Sequence, residues 1–360
     1  MEQVLIAAWS FNFSTSLRPK RSFHMTKLEI LAKVPFKEVI TSVSLVDMTS
    51  DGKANPVIST QNGDVRIFEY LGDENTELDE ISQVSDLPPL VAMGIGDVIG
   101  NGVPDFVVGG IDNLLRVISY MDGKLSITAT TPLGSLPTAV GVVNVLADDR
   151  AEVVVATTDG NLRCYGWYEI ALDKLAHKVL EQPIFSIQPL TSKGLPFSRI
   201  VFGDDSGYLF VYQYADDRLQ EQKRISVGGE VSLVATGDMN HDGNSEVMTV
   251  SDGRKLTLLG NVKGTIEKFD SIKAPKNVTS LKIGKFWEKG EGQIVTSHAN
   301  SNITVLGLDG NRIIEDTSLK TRGKSVDSHI YLGDIDGDSN VEIVQSVGTN
   351  LYLIKVLEEE

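Results

Sequence analysis

Two stretches of the chain place oxygen-bearing side chains at alternating positions, the arrangement from which a polypeptide builds a site for a hard cation. The first carries Asp238, Asn240, Asp242 and Glu246 at positions 1, 3, 5 and 9, with Gly243 at position 6 and Asn244 at position 7. The second carries Asp334, Asp336, Asp338 and Glu342 at the same positions, with Asn340 at position 7. A tight loop turns alternate residues toward one point, and converging carboxylates repel one another unless a cation or ample water lies between them. Ca²⁺ takes about six to eight oxygen ligands, which makes it the natural candidate here, ahead of Mg²⁺. The same carboxylates could instead accept backbone N–H groups as Asx turns and hold the bend with no ion, and the sequence leaves both readings open.

Weaker copies of the loop occur elsewhere. Asp47, Thr49, Asp51, Lys53 and Asn55 keep the spacing with less negative charge. Asp97, Asn101 and Asp105 form a partial set interrupted by Ile99, and Asn144, Asp148 and Glu152 one interrupted by Leu146. The stretch 189–196 carries no acidic residue, and 285–293 contains Trp287. None of these is an EF-hand: that loop needs Glu at position 12, where Thr249 and Gln345 stand, and helices on both sides.

No catalytic motif accompanies the loops. His24, His177, His241, His298 and His329 form no H-E-x-x-H pair, and neither a Walker loop nor G-x-S-x-G is present. The glycines at 94, 96 and 100 miss the dinucleotide spacing by one residue and precede a strand. The expectation is a protein that is not an enzyme.

The segments that position the loops repeat. An apolar alternating strand leads into each loop, a Val/Ile-rich strand leaves it, and a glycine turn joins that strand to a third. The leading strands fall at 43–47, 92–97, 140–144, 185–189, 233–238, 281–285 and 330–334, a period of about 47 residues. Asn62-Gly63, Asp159-Gly160, Ser206-Gly207 and Asp252-Gly253 accept the positive φ of tight hairpins, so the second and third strands pair. A polar fourth stretch, such as 77–84 or 265–272, suits an outer edge. Units of four strands at this period are propeller blades.

The fold class expected is all-β, a seven-bladed β-propeller. Blade cores fall at about 39–70, 90–120, 136–168, 183–214, 230–260, 278–308 and 326–356. The seventh unit lacks room for a fourth strand, and 27–36 is a strand without a unit of its own. The N-terminal strand should therefore complete the last blade, making 27–356 one domain behind a flexible tail at 1–26. Between Tyr168 and Glu181, apolar residues Leu172, Leu175, Ala176, Val179 and Leu180 fall at helical spacing, so a rim helix competes there with an outer strand.

A strand, then Asp-x-(Asp/Asn)-x-Asp-Gly-x-x-(Asp/Glu), then an apolar strand ending in small residues resembles the FG-GAP repeat of integrin-α propellers. Phe106-Val107-Val108-Gly109-Gly110 and Val201-Phe202-Gly203-Asp204 echo the phrase that names that family. The resemblance covers about 27–356 and implies Ca²⁺ in loops on the lower face and a partner-binding upper face. With one cysteine, Cys164, the chain is more similar to intracellular FG-GAP scaffold proteins than to adhesion receptors.

Composition narrows the partners. Net charge is −16, which opposes nucleic-acid phosphates and anionic lipid surfaces. The apolar run Val4–Trp9 lacks a preceding basic region and is too short to span a bilayer, and Met25 offers an alternative start. The reading is a cytoplasmic, non-catalytic protein–protein interaction scaffold without membrane insertion, with Trp167, Tyr168, Phe286 and Trp287 as aromatic contacts. The alternative is a secreted or surface propeller, engaged in Ca²⁺-dependent adhesion or carbohydrate binding. Against a lectin, the aromatics do not repeat at the blade period.

Overall fold

A computed structural model describes residues 26–72, 78–180, 182–262, 265–287, 291–322 and 328–358. All regular elements among them are β-strands. The first strand, β1 (Thr26–Pro35), is followed by β2 (Ile40–Val46), β3 (Asn55–Thr60), β4 (Val65–Tyr70) and β5 (Leu78–Val84), which form blade one. Blade two is β6 (Leu90–Gly96), β7 (Asp105–Gly110), β8 (Leu114–Met121) and β9 (Lys124–Pro132). Blade three is β10 (Pro137–Val143), β11 (Glu152–Thr157), β12 (Asn161–Tyr168) and β13 (Ala171–Val179). Blade four is β14 (Ile184–Leu190), β15 (Arg199–Asp204), β16 (Tyr208–Ala215) and β17 (Arg218–Ser226). Blade five is β18 (Val231–Gly237), β19 (Glu246–Ser251), β20 (Lys255–Val262) and β21 (Thr265–Lys273). Blade six is β22 (Val278–Gly284), β23 (Gln293–His298), β24 (Asn302–Asp309) and β25 (Arg312–Lys320). Blade seven contains β26 (Ser328–Gly333), β27 (Glu342–Val347) and β28 (Asn350–Glu358), with β1 as its fourth strand. The chain is a seven-bladed β-propeller.

Sheets pack face to face around the axis, so the second strand of each blade is covered on both sides. That burial explains its continuous apolar run, as in Glu152-Val153-Val154-Val155-Ala156-Thr157, buried throughout. The core is accordingly divided into seven apolar clusters, one at each boundary between neighbouring blades.

Three independent signatures show that β1 acts as the missing outer strand. It pairs antiparallel with β28, Leu28 opposite Val356 and Val34 opposite Leu351. It also carries the outer-strand bulge. In blades one to six the register skips Ile81, Thr128, Leu175, Gln222, Phe269 and Asp316, and in β1 it skips Leu31. Finally, a residue just beyond the outer strand donates to the hairpin turn of its own blade: Leu87 to Gly63, Leu180 to Gly160 and, after β1, Phe36 to Thr349.

The same bulge settles the segment before Glu181. It is a strand, β13, paired with β12. Leu175 is the unpaired extra residue, so Leu172 faces the boundary with blade two while Ala176 faces blade four. One inserted residue makes apolar positions fall three and four apart and imitates a helical stripe. The proposed tail, apart from Thr26, lies outside the described residues, as does Glu181 itself.

Gly63 shows how tightly the hairpin turns are seated. Its φ is +85°, and a Cβ there would lie 1.7 Å from the carbonyl oxygen of Leu87. Gly52 has a similar φ of +86° with open space around it. Gly52→Ala should therefore cost backbone strain alone, about 1–3 kcal/mol. Gly63→Ala should lower the thermal midpoint by clearly more, because the turn must also leave Leu87. Equal losses in the two variants would contradict this packing.

Candidate functional site

The loops between first and second strands are stitched by the residue at position 9. Its side-chain oxygen accepts the N–H of position 2: Glu342 from Ile335 (3.0 Å), Glu246 from Met239 (2.8 Å) and Glu152 from Val145 (2.7 Å). Asp105 does so for Val98 (2.8 Å), Asn55 for Met48 (2.9 Å) and Gln293 for Phe286 (3.4 Å). In blade four, Pro189 and Leu190 still belong to β14, so the loop runs over 191–198 and not from Pro189. Arg199 holds the ninth position there and donates to Ser192 Oγ at 2.7 Å.

Position 1 gathers backbone donors in turn. Asp334 accepts from Gly337 and Ser339, Asp238 from Asp242 and Gly243, and Asp47 from Asp51 and Gly52. Position 5 accepts from position 7: Asp338 from Asn340, Asp242 from Asn244, Asp51 from Lys53. Asn240 accepts from Asp242 and donates to Glu246, while Thr49 donates to Asn55 at 3.5 Å. Each loop is thus a set of Asx-type turns, and the carboxylates keep further lone pairs facing outward.

Blade seven alone, among the described residues, brings three carboxylates together. Oxygens of Asp334, Asp336 and Asp338 lie within 4.8 Å of one another. Behind them Glu342 is fully buried, and its Oε1 has no hydrogen-bond partner. Burial, with the charges of Asp336 and Asp338 adding to it, pushes the Glu342 carboxyl up to about 8. This all-oxygen donor set suits a hard divalent cation. A competitor is built in, however: Lys355 Nζ from β28 lies 3.0 Å from both Asp336 Oδ2 and Asp338 Oδ2. In blade five, Leu259 pairs with Val247, so Gly260 follows where Lys355 stands and that strand brings no ammonium to the loop.

The loops also join neighbouring blades. The residue at position 8 donates to the preceding loop: Ala54 to Asp334, Ala151 to Asp97, Ser198 to Asn144, Ser245 to Thr191, Gly292 to Met239 and Val341 to Phe286. Blade two has Pro104 at this position, which carries no N–H, so the boundary with blade one lacks that bond.

The four aromatic residues singled out from sequence do not form one surface. Tyr168 is 64% exposed at the turn between β12 and β13, and Trp167 beside it packs partly on the core. Phe286, expected as a contact, is 1% exposed and fills the boundary between blades six and seven. Trp287 packs edge-on against it, ring centroids 5.7 Å apart. Phe286 stands at position 2 of its loop, where Met48, Val98, Val145, Met239 and Ile335 are likewise buried, so its ring belongs to the core.

A different aromatic constellation lies between blades three and four, on the face opposite the acidic loops. There a groove of about 400 Å³ runs from Val179 and Leu180 of blade three across Tyr208, Phe210 and Tyr212 of β16. Phe202 and Phe210 stack at 5.3 Å, and the Arg224 guanidinium lies 4.8 Å from the Phe210 centroid and 5.7 Å from that of Tyr208. Glu221 holds Arg224 at 3.2 Å. The alternation Tyr208, Phe210, Tyr212, Tyr214 was the available signal in sequence, since residues two apart share one face of a strand.

The chain is thus a seven-bladed β-propeller with an aromatic-lined groove between two blades. No protein-family model matches the chain, and no curated protein sequence does so either. The comparisons therefore do not show the FG-GAP family, and that resemblance rests on the sequence motifs alone. Solved structures do match. BBS1N in a crystal of its complex with ARL6DN, soaked with mercury, aligns with a TM-score of 0.65 at 14% identity, covering 93% of this chain and 96% of that one. The lead-soaked crystal of the same complex gives 0.67 at 13%, covering 92% and 96%. At such identities the likeness establishes the fold. With 1203 similar chains of known structure, the fold by itself assigns no activity. No helix among the described residues is long and apolar enough to cross a membrane.

Burial raises the carboxyl of Glu152 above its ordinary value of 4.5, with the Asp148 charge adding to the rise and the backbone donors opposing it. The folded chain then holds a proton that the unfolded chain has released, so stability falls as pH rises from 4.5 through the raised value. Glu152→Gln, which copies Gln293 of blade six, keeps an acceptor for Val145 and removes that titration. Thermal midpoints followed upward from pH 4.5 should decline less in the variant. Parallel declines would show that Glu152 is not protonated in the fold.

Proposed function

We propose that the chain is a non-catalytic protein–protein interaction propeller that binds its partner through the groove between blades three and four. The observation that carries this reading is the arginine stacked over aromatic faces at the groove mouth. Aromatic and arginine side chains supply most of the binding energy at protein interfaces. Val179, 63% exposed, extends the apolar surface, while Asp204 and Glu221 give it a polar margin. A rigid sheet holds these groups in place before binding, so little ordering entropy is lost. BBS1N, a propeller-like neighbour in fold, is itself seen in complex with another protein, ARL6DN, which supports a partner-binding role here. The lone buried cysteine suits a reducing, cytoplasmic setting.

The lower rim would serve the same scaffold by holding Ca²⁺ in an integrin-α-like manner. Asp334, Asp336, Asp338 and Glu342 would hold the ion in blade seven, and Asp238, Asn240, Asp242 and Glu246 in blade five. The ion would stiffen loops that already tie one blade to the next. In blade seven it must displace the Lys355 ammonium. Lys355→Met should therefore tighten Ca²⁺ binding in calorimetric titration by about tenfold or more, the factor expected from ~1.4 kcal/mol of relieved competition. Failure of both proteins to take up Ca²⁺ would leave the loops as hydrogen-bonded turns alone.

The docking surface is tested by affinity purification with three baits: wild type, Arg224→Glu, and Tyr168→Ala on the opposite side. Proteins held by wild type and Tyr168→Ala should be lost from Arg224→Glu. Retention of the same proteins by Arg224→Glu would place the interface elsewhere.

A further inference from the structure

The innermost strands β2, β6, β10, β14, β18, β22 and β26 surround the propeller axis. The chain contains 49 acidic residues, yet none lies on any of these seven strands. Their ionisable side chains are Lys282 of β22 and His329 and Tyr331 of β26, in adjacent blades. All three line an axial cavity of about 300 Å³, together with Ser42, Ser44 and Gln188. An acidic protein therefore has a tunnel whose one fixed charge is positive.

Lys282 is poorly compensated there. Its Nζ sits 4.2 Å from the centroid of the Tyr331 ring, and no carboxylate among the described residues forms an ion pair with it. A ring face replaces only part of the hydration that an ammonium loses on enclosure. Burial accordingly pulls its pKa down to about 8. A lysine kept mostly charged at neutral pH with no counter-charge is a group awaiting an anion. The surroundings suit an oxyanion, because Ser42, Ser44 and the Gln188 amide are hydrogen-bond donors. Inner strand edges add backbone N–H groups facing the axis, although those of Val234 and Ile330 are already met by Ser186 and Ser280. The acidic loops that follow the inner strands, with Asp47, Asp97, Asp238 and Asp334, ring one mouth and discriminate against large polyanions.

We propose that the axial tunnel is a binding site for a small tetrahedral oxyanion of the phosphate or sulfate class, held by the Lys282 ammonium and the serine hydroxyls that line the same cavity. The site is separate from the groove and from the acidic loops, and its occupancy would bridge blades six and seven to blade one across the axis.

The test uses the full chain and inorganic phosphate. Calorimetric titration should show saturable binding near one ion per chain, weakened at least tenfold in Lys282→Met and unchanged in Lys355→Met. The wild-type thermal midpoint should rise and saturate at low phosphate concentration, below the range in which phosphate and sulfate stabilise by exclusion, and not with chloride at equal ionic strength, a readout that stands even if Lys282→Met fails to fold. Equal binding by wild type and Lys282→Met overturns the proposal. So does a thermal shift that chloride reproduces, or the absence of any saturable uptake.

Discussion

Closure of the ring is the constraint on which every other feature rests. Seven twisted sheets around an axis leave two free edges unless the ends of the chain meet within one sheet. Here the meeting is the antiparallel pair β1–β28, with a register running from Thr26 opposite Glu358 to Pro35 opposite Asn350. The strand contributed from the N-terminus reproduces the bulge and the turn contact of the other outer strands, so the seventh blade is built like the rest. Leu28 enters the core between blades six and seven, and Ala32 the core between seven and one. One strand therefore seals two apolar boundaries, and Thr26 adds a bond to Asp316 of blade six.

With the ring closed, its two faces can differ. The lower rim is a belt of loops in which the ninth residue fixes the bend and the eighth reaches back to the previous blade. Charge in these loops varies, but the hydrogen-bond duty does not: Asn55, Asp105, Glu152, Glu246, Gln293 and Glu342 all accept the same N–H. This duty accounts for oxygen at that position whether or not an ion is bound. The upper face is freed from it, and there blade four, which has Arg199 in place of the acceptor, presents its aromatic strand. The axis forms a third environment, enclosed and without acids. Cys164 belongs to none of these: it is fully buried between blades three and four, and burial pushes its thiol up to about 12, an inert core position.

What could be read from sequence followed the range of each interaction. Blade period, hairpin turns such as Asn62-Gly63 and the orphan strand near Thr26 were legible because local spacing and turn chemistry encode them. The segment at Leu175 was ambiguous because a bulge inserts one residue and disrupts the two-residue rhythm. The role of Lys355 was hidden: it lies on the far strand of a hairpin, and only the fold brings it to Asp336 and Asp338. Phe286 looked like a contact in a loop, but it occupies position 2, the inward-facing place that Met48, Val98, Val145, Met239 and Ile335 fill in other blades. The groove escaped notice because half of it, Val179 and Leu180, comes from another blade.

Amide hydrogen exchange on the full chain and on one beginning at Lys37 measures closure most directly. If β1 locks the ring, amides of β28 from Leu351 to Val356 exchange in the full chain only through global opening. Without β1 they should lose protection together with blades six, seven and one. Unchanged protection and an unchanged thermal midpoint in the shortened chain would contradict the account, since the ring would then hold without its closing strand.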